Sequence, residues 1–443
     1  MPITVDPVAS DAALPRRADV VVIGGGIIGA STAYFLAEQG LKPLLCEKGV
    51  VAGEQSGRNW GWCRTMGRDP RELPLAIESL RLWRGLNERI GAETGFRQIG
   101  TFYVCPDAAS FAKREAWLPH AKEHGLECHL LRGQEVQRLF PGAATARSWT
   151  GGLHTPSDGV AEPRMAAPAI ANAARRLGAG VVTGCAVRAI ERSAGRVSHV
   201  VTERGEVACD AVVLAGGAWS GQMCRSLDLR LPQLKVLATV FRTSPCPDGP
   251  DVAAWGPGLS LRRRLDGGYT VSEGQVIAEI VPDSFRFFRD FLPALRMEWK
   301  GISLRLNGAF FRELGNRGAH SPDSVSPYER SRILDPQPWQ RSIDAAFKGL
   351  VETFPAFRST RIEESWAGLI DATPDILPVI SGVENIPGLY LSTGYSGHGF
   401  GIGPGAGRLT ADLVANRKPI VDPKPFRFSR FSDGSSVHPL AGL

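Results

Sequence analysis

The chain has 443 residues, and its 51 basic and 45 acidic residues give a formal net charge of +6. A chain of this length exceeds what one hydrophobic core normally supports, so we expect two domains. The nearly balanced charge shows no basic stripe interleaved with aromatic residues, which disfavours nucleic-acid binding. No stretch approaches ~18 uninterrupted apolar residues, so we expect no integral membrane segment and a cytoplasmic protein.

The cysteines are widely spaced and form no Cys-x-x-Cys pair. This spacing predicts neither a metal site nor a disulfide framework, and it favours reduced, cytoplasmic thiols. The eight residues are Cys46, Cys63, Cys105, Cys128, Cys185, Cys209, Cys224 and Cys246.

The N-terminal region predicts a strand, a glycine turn, a helix and a second strand. Residues 19–23 form a β-branched run of the kind found in buried parallel strands. Residues 27–39 have helical composition and end before Gly40, a natural C-cap. Residues 41–47 return as a strand, so the region reads as a βαβ unit.

Further elements follow at longer intervals. An amphipathic pattern predicts a helix over residues 75–90. Beyond it the composition predicts helices and strands in the order helix 164–178, strand 181–190, strand 197–202, strand 207–214 and helix 406–416.

The order of these elements predicts an α/β fold with an α+β second domain: a Rossmann-like dinucleotide-binding domain and a substrate domain built on a mixed, antiparallel sheet. Residues 226–355 lack a βαβ rhythm, which favours their placement in the substrate domain. The predicted dinucleotide-binding parts are 18–95, 151–225 and 356–420; the substrate parts are 96–150 and 226–355; a C-terminal tail covers 421–443.

The glycine turn carries a Gly-x-Gly-x-x-Gly motif in its complete context, after a strand and at the start of a helix. Gly24 permits a tight turn, and Gly26 lets backbone N–H groups approach a pyrophosphate at the helix N-terminus. Gly29 allows the helix to pack closely on the strand. Glu47 ends the next strand, where its carboxylate can accept hydrogen bonds from ribose hydroxyls and repel a 2′-phosphate. The motif predicts a dinucleotide site but does not distinguish FAD from NAD.

Four segments together resemble the D-amino-acid oxidase superfamily of flavoproteins, which includes glycine oxidase, sarcosine oxidase and bacterial amino-acid dehydrogenases. They are the glycine motif, residues 55–61 (QSGRNWG), residues 151–163 (GGLHTPSDGVAEP) and residues 366–399, which contain WAGL, TPD, LPVI and GYSGHG.

The resemblance implies noncovalent FAD and no metal. It implies a last turn whose backbone N–H groups face the flavin pyrimidine edge and stabilise the anion that forms there. The implied cofactor-binding residues are Gly24, Gly26, Ile27, Ile28, Gly29, Glu47, Lys48, Ser56, Gly57, Asn59, Trp60, Gly61, Val187, Gly216, Gly394, Gly397, His398, Gly399 and Phe400.

The sequence departs from the family at two positions near the substrate. Many relatives have Arg-Pro where this chain has Ile370-Asp371, and sarcosine oxidases have a lysine where this chain has Gly401. No cysteine follows Cys246, so a C-terminal cysteinyl flavin tether is excluded.

The resemblance implies hydride transfer from the substrate Cα to flavin N5, which gives an imine and then a keto acid and ammonia. The electron acceptor is oxygen, a quinone or a dye, and an oligomer is possible. No catalytic acid or base is assigned. The expected substrate-binding residues are Arg64 for the carboxylate, Trp366 and Tyr395 for the pocket, and Asp371.

Asp371 supports two interpretations. A carboxylate beside the substrate would favour a basic amino acid such as L-arginine, whereas an aspartate in a turn before Thr373-Pro374 would be only structural. Similarly, His398 can act through its backbone in the glycine turn or through its imidazole.

Three other functions remain open. The same flavin can oxidise a secondary amine such as proline, hydroxyproline, an opine or sarcosine. A non-catalytic FAD-binding assembly protein would need a partner surface, and an NAD-dependent dehydrogenase is opposed by the closing block at residues 366–399.

Overall fold

A computed structural model describes residues 3–298, 301–315 and 321–440. Strands are numbered in chain order: β1 (Arg17–Ile23), β2 (Pro43–Cys46), β3 (Trp62–Cys63), β4 (Arg97–Gln98), β5 (Thr101–Cys105), β6 (His129–Leu131), β7 (Gly151–Thr155), β8 (Gly159–Val160), β9 (Gly180–Val182), β10 (Val187–Ser193), β11 (Arg196–Thr202), β12 (Gly205–Leu214), β13 (Leu234–Thr243), β14 (Ala253–Gly256), β15 (Leu259–Arg263), β16 (Tyr269–Ser272), β17 (Val276–Glu279), β18 (Ile302–Arg305), β19 (Ile362–Ala372), β20 (Val379–Gly382) and β21 (Leu389–Thr393).

The α-helices are α1 (Ile27–Glu38), α2 (Gln55–Arg58), α3 (Leu73–Ile90), α4 (Ala108–Glu115), α5 (Leu118–Glu123), α6 (Gln134–Leu139), α7 (Pro163–Arg176), α8 (Ser220–Ser226), α9 (Pro282–Arg286), α10 (Phe288–Glu298), α11 (Ala309–Gly315), α12 (Pro327–Arg330), α13 (Gln340–Thr353) and α14 (Gly403–Val414). Short 3-10 helices lie at Ala146–Ser148, Gly217–Trp219, Pro355–Ser359, Lys424–Phe426 and Phe428–Phe431.

The first large sheet is built around β1. Strands β9, β2, β1, β12 and β21 lie side by side and are all parallel. Both faces of β1 are covered: Val20 and Val22 belong to the core beneath α1, whereas Val21 and Ile23 belong to the core on the opposite face. This two-sided burial explains the uninterrupted apolar run of the strand.

Antiparallel strands extend this sheet on one side, where β12 pairs with β11 and β11 with β10. The prediction of a single strand over residues 181–190 is wrong. Residues 183–186 break the run, so β9 pairs with β2 while β10 pairs with β11. The two halves share β-branched composition, which does not reveal a change of partner.

The second large sheet is mixed, with mainly antiparallel pairs, in the order β18-β17-β13-β16-β15-β14-β5-β7-β6. Its long central pair joins β13 to β19, from Leu234 opposite Ala372 to Thr243 opposite Ile362. Strands β7 and β19 also lie in this second sheet. The surrounding segments, 151–225 and 356–420, supply other strands to the parallel sheet. A small third sheet contains β3, β8 and β4.

The predicted long helices are confirmed within a few residues at their ends. Helices α1, α7, α14 and α3 contribute buried side chains to the same core as Val20. The α1–α14 contact is close because a Cβ at Gly407 would lie 2.3 Å from Cβ of Ser31. The parallel sheet and mixed second sheet confirm the predicted fold class.

In the part of the chain that the structure describes, no helix combines the length and the apolar character needed to cross a membrane.

Candidate functional site

The glycine motif forms a tight connection from β1 to α1. Gly24 has φ of +108°, and a Cβ there would lie 2.5 Å from the carbonyl oxygen of Ala215 on the neighbouring strand connection. A Cβ at Gly29 would lie only 1.9 Å from the carbonyl oxygen of Gly24. Both positions therefore require glycine, as the motif predicts.

The Glu47 carboxylate braces this turn. Its Oε2 accepts a hydrogen bond from Gly25 N at 2.7 Å, and its Oε1 accepts one from Gly49 N at 2.7 Å. Burial raises the pKa of Glu47, and the Gly25 N–H opposes that shift by stabilising the carboxylate. Each oxygen retains a second lone pair, so the carboxylate can still accept a ribose hydroxyl.

Residues 55–61 cover the N-terminus of α1. Ser56 Oγ accepts the N–H of Ile27 at 2.8 Å and satisfies one of the free donors of the first helical turn. Asn59 fixes the following bend: its Nδ2 donates to the Ser56 carbonyl and its Oδ1 accepts from Gly61 N, both at 2.7 Å. Gly57 packs against the carbonyl of Ala52, which lies 2.4 Å from where its Cβ would be.

The closing block brings Asp371 against the last glycine turn. Asp371 lies in β19, not in a turn as we expected, because the strand continues to Ala372. Its buried Oδ2 accepts the N–H of Gly394 at 2.8 Å, with Gln233 Nε2 and Thr393 Oγ1 each at 3.4 Å. Burial raises the pKa of Asp371 to about 6, and the Gly394 N–H opposes the shift.

His398 belongs to a buried polar cluster behind this turn. Its Nδ1 lies 3.1 Å from Oε2 of Glu72, and Glu72 in turn lies 3.5 Å from the Arg68 guanidinium. Burial lowers the pKa of His398 to about 4, and the charge of Arg68 lowers it further while Glu72 opposes. The imidazole is therefore neutral near pH 7. Its side chain does not line the cleft described below, a placement that favours the backbone interpretation.

These segments enclose one continuous cleft, which extends from the end of β2 to the last glycine turn. Of the expected cofactor-binding residues, those lining it are Gly24, Gly26, Ile27, Ile28, Glu47, Lys48, Ser56, Asn59, Val187, Gly216, Gly397, Gly399 and Phe400. Asp371 and Tyr395 also line it. A glycine turn at a helix N-terminus, a carboxylate at the next strand end and a second glycine turn fit the chemistry of FAD.

The remaining expected cofactor residues support the walls of the cleft without lining it. They are Gly29, Gly57, Trp60, Gly61, Gly394 and His398. Trp60, for example, packs edge to face against Trp62 with ring centroids 5.8 Å apart.

Lys48 is the one cationic side chain among the described residues that line the cleft. Its Nζ is already bound by Glu54 Oε1 at 2.6 Å and by the carbonyls of Ser331 and Arg332 at 2.8 and 2.9 Å. All three of its donors are therefore used within the protein. The expected substrate carboxylate would therefore need a cation other than Lys48.

Arg64 lies outside the cleft but beside its last turn. A Cβ at Gly401 would lie 2.6 Å from the carbonyl oxygen of Trp62 and 3.5 Å from Arg64 N. The backbone of residues 62–64 therefore packs against Gly401, the residue that follows Phe400. The Arg64 guanidinium donates to the Met66 carbonyl and lies 5.4 Å from the Tyr103 ring centroid. It is partly buried and has no carboxylate partner among the ion pairs of the described residues.

Two other expected substrate residues have their polar atoms engaged inside the protein. Trp366 is buried, and its Nε1 donates to the carbonyl of Arg58 at 2.8 Å. The Tyr395 hydroxyl lies 2.8 Å from Ser392 Oγ, and burial raises the pKa of the phenol strongly. Trp366 does not line the cleft, and Tyr395 contributes to the wall without presenting a free hydroxyl.

Sequence reasoning missed several residues that line the cleft. Trp219 follows the glycine pair at the end of β12, so the strand-to-turn signal at Gly216 pointed towards it. Tyr328 comes from the middle of the segment assigned to the substrate domain, and no local pattern marks it. Cys46 and Cys185 also line the cleft, although their spacing in the sequence is uninformative.

Comparison with known proteins supports the same assignment. The sequence pattern of the FAD dependent oxidoreductase family, DAO, matches residues 19–413. The solved structure of L-amino acid deaminase from Proteus myxofaciens, in complex with anthranilate, is similar with a TM-score of 0.93 and 35% identity, covering 97% of each chain. The L-amino acid deaminase of Proteus vulgaris gives 0.91 and 32%, covering 95% of this chain and 99% of that one.

More distant curated relatives differ in length. Glycine oxidase of Pseudomonas aeruginosa is 26% identical over 92% of this chain and 97% of its own. Human mitochondrial sarcosine dehydrogenase is 24% identical over 96% of this chain, which spans only 43% of that protein. The glycine turn, the carboxylate at the end of β2 and the match over most of the sequence establish that the chain belongs to the DAO family of FAD dependent oxidoreductases.

Proposed function

We propose that the chain oxidises the Cα–N bond of a primary amino acid, releasing a keto acid and ammonia after hydrolysis of an imine. The observation that carries this proposal is the meeting of two glycine turns, at Gly24–Gly29 and Gly394–Gly399, across one cleft. The 35% identity with the L-amino acid deaminase of Proteus myxofaciens over nearly the whole chain supports a primary amine.

In this proposal FAD, when bound, supplies the acceptor for a hydride from the substrate Cα. The protein holds and orients the reactants. The α1 N-terminus and Glu47 bind the dinucleotide end, while Asp371 fixes the last glycine turn through Gly394 N. That turn leads directly into α14, whose N-terminus carries a positive partial charge. No described residue needs to act as a base when the carbon transfers a hydride.

Arg64 is the proposed ligand of the substrate carboxylate. It lies beside the last turn, and its guanidinium donates to the neutral Met66 carbonyl and lies over the Tyr103 ring. Exchanging a carbonyl for a carboxylate gives a stronger, charge-assisted and bidentate contact. The side chain must turn from Met66 towards the cleft when substrate binds.

A basic substrate such as L-arginine or L-lysine is a second, narrower proposal. Asp371 lines the cleft, and no ion pair joins its carboxylate to a cation among the described residues. Its neighbours Gln233 and Thr393 donate only weak hydrogen bonds at 3.4 Å. An unpaired carboxylate at a cleft wall favours a cationic ligand. Asp371→Asn should then narrow the rate difference between basic and neutral amino acids.

One substrate panel tests these proposals. The yellow holoenzyme is mixed anaerobically with L- and D-amino acids, with proline and sarcosine, and with N-methylated forms of the best primary substrate. Bleaching of the flavin by primary amino acids supports the leading proposal. Bleaching only by secondary amines would replace it, and equal rates for arginine, leucine and glutamate would remove the role of Asp371.

Two parallel assays identify the electron acceptor. Peroxide formation in air indicates oxygen, whereas turnover only with a quinone or dye indicates a dehydrogenase.

A further inference from the structure

Two cysteines lie in the wall of the cofactor cleft, and their thiols interact with each other through a side-chain hydrogen bond. Cys46 is the last residue of β2, and Cys185 follows the adjacent strand β9, which places Val182 opposite Cys46. The N–H of Cys185 donates to the carbonyl of Glu47 at 2.9 Å, so the loop carrying Cys185 closes onto the end of β2. Both cysteines are free and both line the cleft.

Both cysteines border the cleft and are otherwise enclosed by protein. Cys46 is 2% exposed and Cys185 is 0% exposed, and both residues line the cleft, so a small reagent approaches the thiols from the cleft. Glu47 and Val187, which are close to them in sequence, also line the cleft. Both are expected cofactor-binding residues, and Glu47 is expected to contact the ribose. Bound FAD would therefore cover the two sulfur atoms.

The surroundings of the pair make Cys185 the more acidic thiol. The Arg204 guanidinium donates to the carbonyls of Thr183 and Gly184 at 3.1 and 3.2 Å, immediately before Cys185. Interaction with the Cys46 thiol lowers the pKa of Cys185, and the Thr202 hydroxyl and Arg204 lower it further while burial and Glu203 oppose. The interaction with Cys185, together with burial, raises the pKa of Cys46.

Two other buried cysteines of the same core have less acidic thiols. Cys224 has no such partners, and burial raises its pKa to about 12. Burial also raises the pKa of Cys209 to about 12, and Cys209 does not line the cleft. A low-pKa thiol next to a second thiol is the arrangement that reacts with peroxide and then forms a disulfide.

We propose that Cys46 and Cys185 form a peroxide-sensitive dithiol, which is oxidised to a disulfide in the FAD-free chain and is protected when FAD fills the cleft. This proposal rests on the FAD site and is independent of which amino acid the enzyme oxidises. The cleft would then contain a site of reversible oxidation at Cys46 and Cys185 as well as the cofactor site.

The reaction consumes one hydroperoxide. The Cys185 thiolate attacks one peroxide oxygen, an S–O bond forms, the O–O bond breaks, and the leaving hydroxide takes a proton to give water. The Cys46 sulfur then attacks the sulfenic sulfur of Cys185. An S–S bond forms, the S–O bond breaks, and hydroxide leaves as water with the Cys46 proton. Two thiols lose two electrons, and hydrogen peroxide is reduced to two molecules of water.

The test compares the full-length holoenzyme in excess FAD with the same chain after FAD removal by dialysis against bromide. Recovery of the flavin spectrum when FAD is returned establishes that the stripped chain is folded. Both samples then receive hydrogen peroxide, and peptides are mapped by mass spectrometry without reduction. We expect a Cys46–Cys185 linked peptide in the stripped chain, formation at least tenfold slower with FAD, and reversal by dithiothreitol.

Variants assign the two roles. Cys185→Ser should abolish both the linkage and the sulfenic acid at this site. Cys46→Ser should stop the reaction at a Cys185 sulfenic acid that dimedone traps. Cys224→Ser is the matched control, since Cys224 is buried in the same core but lies outside the cleft, and it should form the linkage at the wild-type rate.

Absence of the linked peptide from the folded, stripped chain would overturn the proposal, as would equal oxidation rates with and without FAD. Flavin bleaching by amino acids, measured on untreated holoenzyme, is a separate result. Failure of that assay would contradict the proposed amino-acid oxidation without affecting the peptide map.

Discussion

The N–H of Gly394 lies 2.8 Å from Oδ2 of Asp371, so one buried carboxylate holds the start of the last glycine turn against strand β19. A carboxylate in that position is costly to ionise because it is buried, and burial raises its pKa to about 6. The turn is thus fixed by a group whose charge changes near pH 6.

The first prediction concerns stability and the charge of Asp371. Its folded-state pKa of about 6 exceeds the unfolded value of 3.8, so the folded chain holds more protons between these values. Stability from this group is therefore full below about pH 4 and is lost as pH rises through 6. The difference is at most about 3 kcal/mol.

Asp371→Asn removes this titration. The free energy of unfolding of the wild type relative to the variant should fall between pH 4 and 7 and stay constant above that. Urea denaturation at a series of pH values measures it. A relative stability that rises over this interval would show that the carboxylate is stabilised by a cation in the folded protein.

The second prediction concerns His398, whose folded-state pKa of about 4 lies below the unfolded value of 6.5. The unfolded chain then binds more protons between these values, so stability is full above pH 6.5 and is lost as pH falls towards 4. Relative to His398→Gln, the wild type should lose up to about 3 kcal/mol over this interval.

The same denaturation series tests it, with His129→Gln as control because His129 is exposed. The control should follow the wild type at every pH. A wild type that does not weaken relative to His398→Gln on acidification would show that Glu72 keeps the imidazole protonated.

The third prediction concerns cofactor retention. Gly29→Val should abolish FAD binding because even a Cβ would lie 1.9 Å from the Gly24 carbonyl oxygen. Gly85→Val is a suitable control, since Gly85 lies on the exposed side of α3 with no atom within 4 Å of its would-be Cβ. The flavin released per chain by acid precipitation measures the content. Full FAD content in folded Gly29→Val, or colour left in the wild-type pellet, would contradict this account.

The fourth prediction concerns Arg64. Loss of a charge-assisted contact in a partly desolvated site costs about 2–5 kcal/mol, so Arg64→Ala should lower kcat/KM at least tenfold with unchanged FAD content. Arg81→Ala provides a control because the Arg81 side chain is 64% exposed on α3. Unaltered kinetics in folded Arg64→Ala would assign the carboxylate to another side chain.

The dinucleotide end of the proposed site can be predicted from the sequence because its signals are local. Gly24, Gly29 and Glu47 lie within 24 positions of one another, and each has a conformational or chemical reason for its identity. The parallel strands were similarly recognisable, since strands buried on both faces need continuous apolar runs.

The substrate end was less predictable because it depends on distant segments. Trp366 looked like a pocket wall, but its indole bonds the Arg58 carbonyl in the core. Asp371 looked like a turn residue because Thr373-Pro374 follows, yet pairing with Lys235 of β13 extends the strand through it. Tyr328 reaches the cleft from a segment with no recognisable motif.

The most direct test of the proposed activity is a single anaerobic turnover with the preferred primary amino acid. Fully oxidised holoenzyme is mixed with excess substrate and no acceptor, and ammonia and keto acid are measured when the flavin is bleached. Oxidation of a primary amine predicts one ammonia and one keto acid for each FAD reduced. Bleaching without ammonia, or no bleaching by any primary amino acid, would contradict it.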